Sequence, residues 1–238
     1  MYGRRVVITG IGAVSCVGNN VLTMWDSLVN GRSGIDYIKE FDTTDYKTKF
    51  YGKVRDLDMS PVGNEKELRR MDTYSIFALV ASLEAIKDAG LPEDFRSENS
   101  PINPEEVGVC ISSGIGGIQT VEKQVGVLLS SGPNRISPFM IPMMIPDMAC
   151  GHVSIRCGAK GPNFTILSAC ASSCHAIGES YHMVARGDAD MMITGGSESS
   201  LSPICISGFS AMKALSCRND DPKAASRPFD KDRDGFVM

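Results

Sequence analysis

Short apolar runs rich in β-branched residues alternate along this chain with longer stretches of helical period. That alternation limits the fold more than any other feature. "RRVVITG" (4–10), "VGVCISS" (107–113), "NFTILS" (163–168) and "ADMMITG" (189–195) read as strands. Between them, "NVLTMWDSLVNG" (20–31) reads as a short amphipathic helix stopped by Gly31. "KELRRMDTYSIFALVASLEAIKDAG" (66–90) reads as one long helix. In it Ile76, Leu79, Val80, Leu83 and Ile86 recur on one face, and Gly90 and Pro92 supply the stop. A polar connector (91–106) leads to the second strand, which ends in the glycine turn "GIGG" (114–117). A proline-broken apolar stretch, "SGPNRISPFMIPMMIPDMACG" (131–151), reads as irregular, and "CASSCHAIGESYHMVARG" (170–187) reads as a helix. Strands alternating with helices predict an α/β fold with a mostly parallel sheet.

Composition narrows the function classes. The 238 residues can bury a sizeable core, and 42% apolar with 22% charged residues is ordinary for a globular protein. A net charge of −4 argues against a general nucleic-acid or anionic-membrane surface. No uninterrupted apolar run is long enough to span a bilayer, and "MYGRRVVITG" has neither a signal nor a transit pattern, so the expected compartment is the cytoplasm. The eight cysteines are expected reduced, and no CxxC pair suggests a zinc or thioredoxin site. Cys170 precedes Cys174–His175 by one residue too many for a haem-attachment motif, and no metal or cofactor is expected. "GIGAVS" begins like a dinucleotide fingerprint, but Ser15 stands where the third glycine belongs. A tight turn is the expected role of Gly10 and Gly12.

Cys170 lies at the joint between the run "NFTILS" and the helix that follows. A sharp strand-to-helix turn lifts one side chain out of the backbone, and a helix N-terminus stabilises a thiolate. The small neighbours Ala169, Ala171, Ser172 and Ser173 would let an acyl group approach closely. Position alone leaves two readings, a nucleophile or a buried structural cysteine.

The segments "GPNFTILSACASSCHAIGES", "GDADMMITGGSES", "GFSAMKALS" and "ASRPFDKDRDGFVM", with the opening "RRVVITGIGAVSCVGNN" and the turn "ISSGIGGI", stand in the order of a known family. The chain resembles the β-ketoacyl-[acyl-carrier-protein] synthases over its whole length, and "DPKAASRPFDKDRDGF" is closer to the synthase II type than to synthase I. The resemblance implies a thiolase-like layered α/β fold, αβαβα in a full enzyme, of which residues 1–238 would form the N-terminal half. It implies fatty-acid chain elongation by a decarboxylating Claisen condensation, with Cys170 holding the acyl group as a thioester and its own N–H contributing to an oxyanion hole. The alternatives are a polyketide-type ketosynthase and a non-catalytic thiolase-like fragment.

Family enzymes also use two histidines, a lysine and a gating phenylalanine from their C-terminal half. His152, His175 and His182 lie in none of those motifs. His175 and His182 would point roughly 140° and 120° away from Cys170 on an ideal helix. The chain alone is therefore expected to be inactive. By motif, Ile115 would close the acyl pocket, against an ordinary turn residue. Met140 would line the partner subunit's pocket across a homodimer interface, against packing within the subunit. Lys66, Arg69, Arg70 and Lys213 would dock an acidic acyl carrier protein, against simple solvation. Cations at the start of a helix oppose its dipole, which is weakly odd for a solubilising role.

Overall fold

The computed structural model of the protein describes residues 3–98 and 100–238. In chain order its elements begin with α1 (Val21–Val29), β1 (Ile35–Tyr37), β2 (Phe50–Gly52), α2 (Glu65–Leu68), α3 (Thr73–Asp88) and β3 (Val107–Ser112). They continue with α4 (Ile118–Ser131), α5 (Met140–Met144), α6 (Met148–Cys157), α7 (Ser172–Arg186), β4 (Met191–Gly196) and α8 (Pro203–Ala211). The chain divides into two compact units, Met1–Gly12 with Asp58–Ser199, and Ala13–Leu57 with Ser200–Met238. Among the described residues no helix is long and apolar enough to cross a membrane.

The larger unit is built on β3. Every residue of this strand is buried, as expected for a parallel strand covered on both faces. β3 pairs in parallel with β4, from Val107 opposite Met191 to Ser112 opposite Gly196. Full burial of Val107, Val109 and Ile111 stabilises the unit by roughly 1.5–3 kcal/mol each. α6 packs on β3 and α3 on α6, while α7 packs on β3 and β4. Gly196 lets α7 come that close, because a Cβ there would lie 2.4 Å from Cβ of Ser173.

The smaller unit holds the antiparallel pair β1–β2, registered Ile35 with Gly52 through Tyr37 with Phe50. Its core is Ile38, Tyr51, Ile206 and Leu215, with Phe41, Phe209 and Met238 packed against it. The expected helix at 20–31 is α1. Asn20 caps it, in a reciprocal capping box with Thr23.

Several expectations are corrected. Residues 4–10 pair with no described strand, and Val7 and Ile8 are 60% and 83% exposed. Gly10 and Gly12 serve close approach rather than a turn. A Cβ on them would lie 2.1 Å from the Ala85 carbonyl oxygen and 1.9 Å from that of Ala81, so only glycine lets the segment lie against α3. The expected helix 66–90 is two helices. Asp72 is buried, caps α3 at the Tyr74 N–H and accepts from both the N–H and hydroxyl of Thr120 (3.1 and 2.6 Å), so the chain restarts there. "NFTILS" only touches β3. The Val109 N–H donates to the Pro162 carbonyl (2.8 Å) and the Phe164 N–H to the Val109 carbonyl (3.2 Å). After that the backbone ladder ends, and only hydrogen bonds involving side chains hold the segment to β3. The stretch 131–151 is less irregular than expected, since it holds α5 and opens α6. The predicted helix from Cys170 begins at Ser172, after a 3-10 turn over Ala169–Ala171. The β1–β2 pair and α8 were not anticipated. Asn99 of the polar connector lies outside the described residues.

Candidate active site

The site is assembled at the start of α7. The segment leading into it is tied to β3, with the Thr165 hydroxyl donating to the Ile111 carbonyl (3.0 Å) and the Ile166 N–H to Ser112 Oγ (3.2 Å). The chain then reverses over Ala169, whose φ of +50° is left-handed and unfavourable for a residue with a Cβ. Ser172, buried beneath the turn, holds that conformation. Its Oγ accepts from the Ser168 N–H (2.8 Å) and donates to the Ala169 carbonyl (2.6 Å). Ser168 Oγ lies 2.5 Å from Nδ1 of His175.

Cys170 stands exposed on this strained turn. The N-terminus of α7 carries no side-chain cap, and the N–H of its first residue, Ser172, donates to the Ala169 carbonyl, so the positive end of the helix dipole lies beside the Cys170 turn. Cys110 and Cys150 are instead buried, and that burial pushes their thiols up to about 11 and about 12. The structural-cysteine reading fits those two and not Cys170.

The glycine turn after β3 abuts this elbow. A Cβ on Gly114 would lie 3.4 Å from the Ala169 carbonyl oxygen. Ile115, 40% exposed, is the next residue. On its other side the turn meets α5: the Gly117 N–H donates to the Met144 carbonyl (3.2 Å), and a Cβ on Gly117 would sit 2.1 Å from the carbonyl oxygen of Met143. Met140 opens α5 and is half-buried, with Ile141 and Ile145 exposed nearby. The structure thus brings the Cys170 elbow, the Ile115 turn and the Met140 helix together.

Glu198, just past β4, is a residue the sequence reading missed. Its Oε2 accepts from the N–H groups of Gly114 (2.9 Å) and Ile115 (3.0 Å), and its Oε1 from the Ser113 hydroxyl (3.3 Å). The residue is exposed at its rim, but withdrawal of the carboxylate from water pushes its pKa above the ordinary range, partly offset by those donors. No local pattern announces it, because its partners lie more than 80 residues earlier.

The basic residues divide. Lys66 is the second residue of the one-turn α2, beside its N-cap Asn64. Arg69 caps the C-terminus and Arg70 follows, so only the two arginines stand at the favourable end and depart from the expected N-terminal placement. Arg69 pairs with Glu65 (3.0 Å), and the Arg70 guanidinium sits 4.8 Å over the ring of Phe139. With Glu65 and Phe139 they line a shallow cavity of about 420 Å³. Lys213 belongs to the other unit, in a left-handed turn after α8 (φ +57°).

Comparison with known proteins shows the family of the chain. The family model described as "Beta-ketoacyl synthase, N-terminal domain" matches residues 3–238. The 3-oxoacyl-[acyl-carrier-protein] synthase 2 of Synechocystis sp. is 48% identical over 235 residues, covering 99% of this chain. The chain spans only 55% of that relative's length. Among solved structures, a β-ketoacyl synthase from Burkholderia phymatum is 30% identical, with a TM-score of 0.85 over 98% of this chain and 56% of the other. A type II polyketide ketosynthase, solved with its acyl-carrier protein and bound to a hexaketide, is 30% identical with a TM-score of 0.83 over 98% of this chain and 55% of its own. With its parallel β3–β4 core and its thiolase-like α/β fold, the chain belongs to the β-ketoacyl synthase family.

Proposed function

We propose that this chain carries the acyl-accepting half of a fatty-acid condensing enzyme, with Cys170 as the nucleophile. The observation that carries the reading is an exposed thiol on a strained turn, at the uncapped start of a 15-residue helix. In the first step Cys170 Sγ attacks the carbonyl of an acyl thioester on a carrier protein. The new C–S bond forms, the carrier's thiolate leaves, and the thiol proton passes to it. The Cys170 N–H, with the positive end of the α7 dipole beside it, is the proposed source of stabilisation for the tetrahedral oxyanion. In the second step malonyl thioester loses carbon dioxide, and the resulting enolate attacks the Cys170 thioester. A C–C bond forms and the cysteine thiolate is released, a good leaving group as well as a good nucleophile. His175 is engaged with Ser168, so it is not assigned as the acid or base of either step.

Lys66, Arg69 and Arg70 are proposed as a carrier-docking surface of the larger unit, and Lys213 as a separate carrier contact of the smaller one. The Met140 segment is proposed to line a homodimer interface, and Ile115 to border the acyl chain. A polyketide-type reading has support from the hexaketide-bound ketosynthase at 30% identity. The higher identity, 48%, is with an enzyme named for the fatty-acid reaction, and the proposal follows it.

The test is acyl transfer in the complete natural protein. Incubation with acyl-loaded carrier should add one acyl mass to the peptide containing Cys170, removable by hydroxylamine. Cys170→Ala should abolish both loading and condensation, a loss of at least about a thousandfold. Full loading of Cys170→Ala would sink the assignment. Repeated extension by malonyl-loaded carrier without intervening reduction would favour the polyketide reading.

A further inference from the structure

We propose that Glu198 is a positioning residue that holds the Ile115 turn against the Cys170 elbow and thereby sets which acyl chains Cys170 accepts. The chain-selection part rests on the acyl-transfer reading above; the positioning part does not.

Three successive N–H groups of the turn, those of Gly114, Ile115 and Gly116, have side-chain acceptors. Gly114 and Ile115 donate to Glu198 Oε2, and Gly116 donates to Ser113 Oγ (2.9 Å), whose own hydroxyl donates to Glu198 Oε1. The turn's shape depends on them, since Gly116 is left-handed at φ +70°. The root of Glu198 is itself fixed. The Ser197 N–H donates to the Ser112 carbonyl (2.8 Å), and the Ser197 hydroxyl donates to the Tyr74 carbonyl (2.6 Å). One carboxylate therefore ties the end of β4 to the turn after β3. On the far side the turn rests on α5 through backbone contacts at Gly117.

Gly114 lies in contact with the residue preceding Cys170, and Ile115 is the first side chain beyond it. On the acyl-transfer reading, an acyl group on the sulfur that runs from the elbow toward this turn meets Ile115. The position of Ile115 is then what limits or admits its length, and Glu198 decides how firmly that position is kept.

The experiment compares wild type, Glu198→Ala and Glu198→Gln in the complete natural protein. Hydrogen exchange of the 113–117 segment reads positioning, and Cys170 loading rates from short- and long-chain acyl carriers read selection. In Glu198→Ala the 113–117 amides should exchange at least about tenfold faster, with β3 and β4 unchanged. The long-to-short ratio of loading rates should move by about fivefold or more. Glu198→Gln keeps an oxygen for the two N–H donors and should return both readouts to within about twofold of wild type. A merely structural role would lower both loading rates in proportion. Unchanged exchange, or an unchanged ratio despite faster exchange, would overturn the proposal. If Glu198→Ala does not fold, Ser113→Ala removes the Gly116 link and the Ser113–Glu198 hydrogen bond while leaving the two N–H bonds to Glu198 Oε2, and should shift both readouts in the same direction; no shift there is equally fatal. Wild type that loads no acyl group refutes the functional reading instead, and exchange alone then decides whether Glu198 positions the turn.

Discussion

A glycine and a cysteine show how differently single residues reveal their roles. The placement of Cys170 at the turn into α7 was legible because its determinants are local: small neighbours, a β-branched run before it and a helix after it. Gly12 was misread as a turn residue, because its reason for being glycine is the α3 backbone, which lies almost 70 residues on. A methyl group there would meet the Ala81 carbonyl at 1.9 Å, and helix backbone cannot yield cheaply. Gly12→Ala should therefore destabilise by about 2 kcal/mol or more. Gly126 in α4 is the contrast, with open space where its Cβ would be, so Gly126→Ala should stabilise by about 0.5–1 kcal/mol. Urea denaturation of the two variants checks the pair, and equal effects would contradict the contact argument. Glu198 was invisible for the same reason as Gly12, since what it holds is backbone distant in sequence.

At the level of elements, the break between α2 and α3 has a functional consequence. Periodicity merged the two helices because 66–90 is rich in helix formers. All the recurring apolar positions nevertheless lie at Ile76 or beyond, and the buried Asp72 marks the true start. Separation leaves α2 a short helix on the surface, with Lys66, Arg69 and Arg70 beside the exposed rim of Phe139. Glu65 and Glu67 temper the charge, so a docking partner must compete with the Glu65–Arg69 pair. Exposed pairs of that kind contribute less than about 1 kcal/mol, so the competition is weak. Changing Lys66, Arg69 and Arg70 together to Glu should weaken acyl-carrier binding by at least about tenfold at low ionic strength, and the difference should shrink as salt is added. Calorimetric titration at two salt concentrations reads this, and an unaltered affinity would remove the docking assignment.

For the whole molecule, the charged groups predict an acid-sensitive fold. Burial would raise the Glu40 carboxyl, but Lys53 at 2.5 Å, the Tyr51 hydroxyl and the Lys39 N–H outweigh it and hold it at about 2. Arg96 holds Asp94 at about 2. A carboxyl depressed on folding stabilises above its unfolded pKa, and that contribution is lost as pH falls from about 4.5 toward 2. Burial also lowers the pKa of His152, so the fold resists its protonation and loses stability as pH drops below about 6.5. Glu198 runs the other way. Its raised carboxyl favours the protonated form, so its contribution declines as pH rises through the folded pKa. The urea midpoint should fall modestly from pH 7 to 5 and steeply from 4.5 to 2.5. Glu40→Gln should lose about 1 kcal/mol at pH 7, after solvent screening, and flatten the lower limb. A midpoint constant from pH 7 to 3 would contradict this balance.

The sequence by itself determined what local chemistry can carry: the strand–helix alternation, the β3 and β4 runs, α1 with its Asn20 cap, and the cysteine at the turn into a helix. Those features depend on side-chain period and on neighbours within a few residues. Only the tertiary structure decided that 4–10 and 163–168 would leave the ladder, that Asp72 would divide a helix, and that Glu198 would hold the turn beside Cys170. Each of those outcomes depends on which backbone donors and acceptors meet across the fold, and that meeting leaves no periodic trace in the chain.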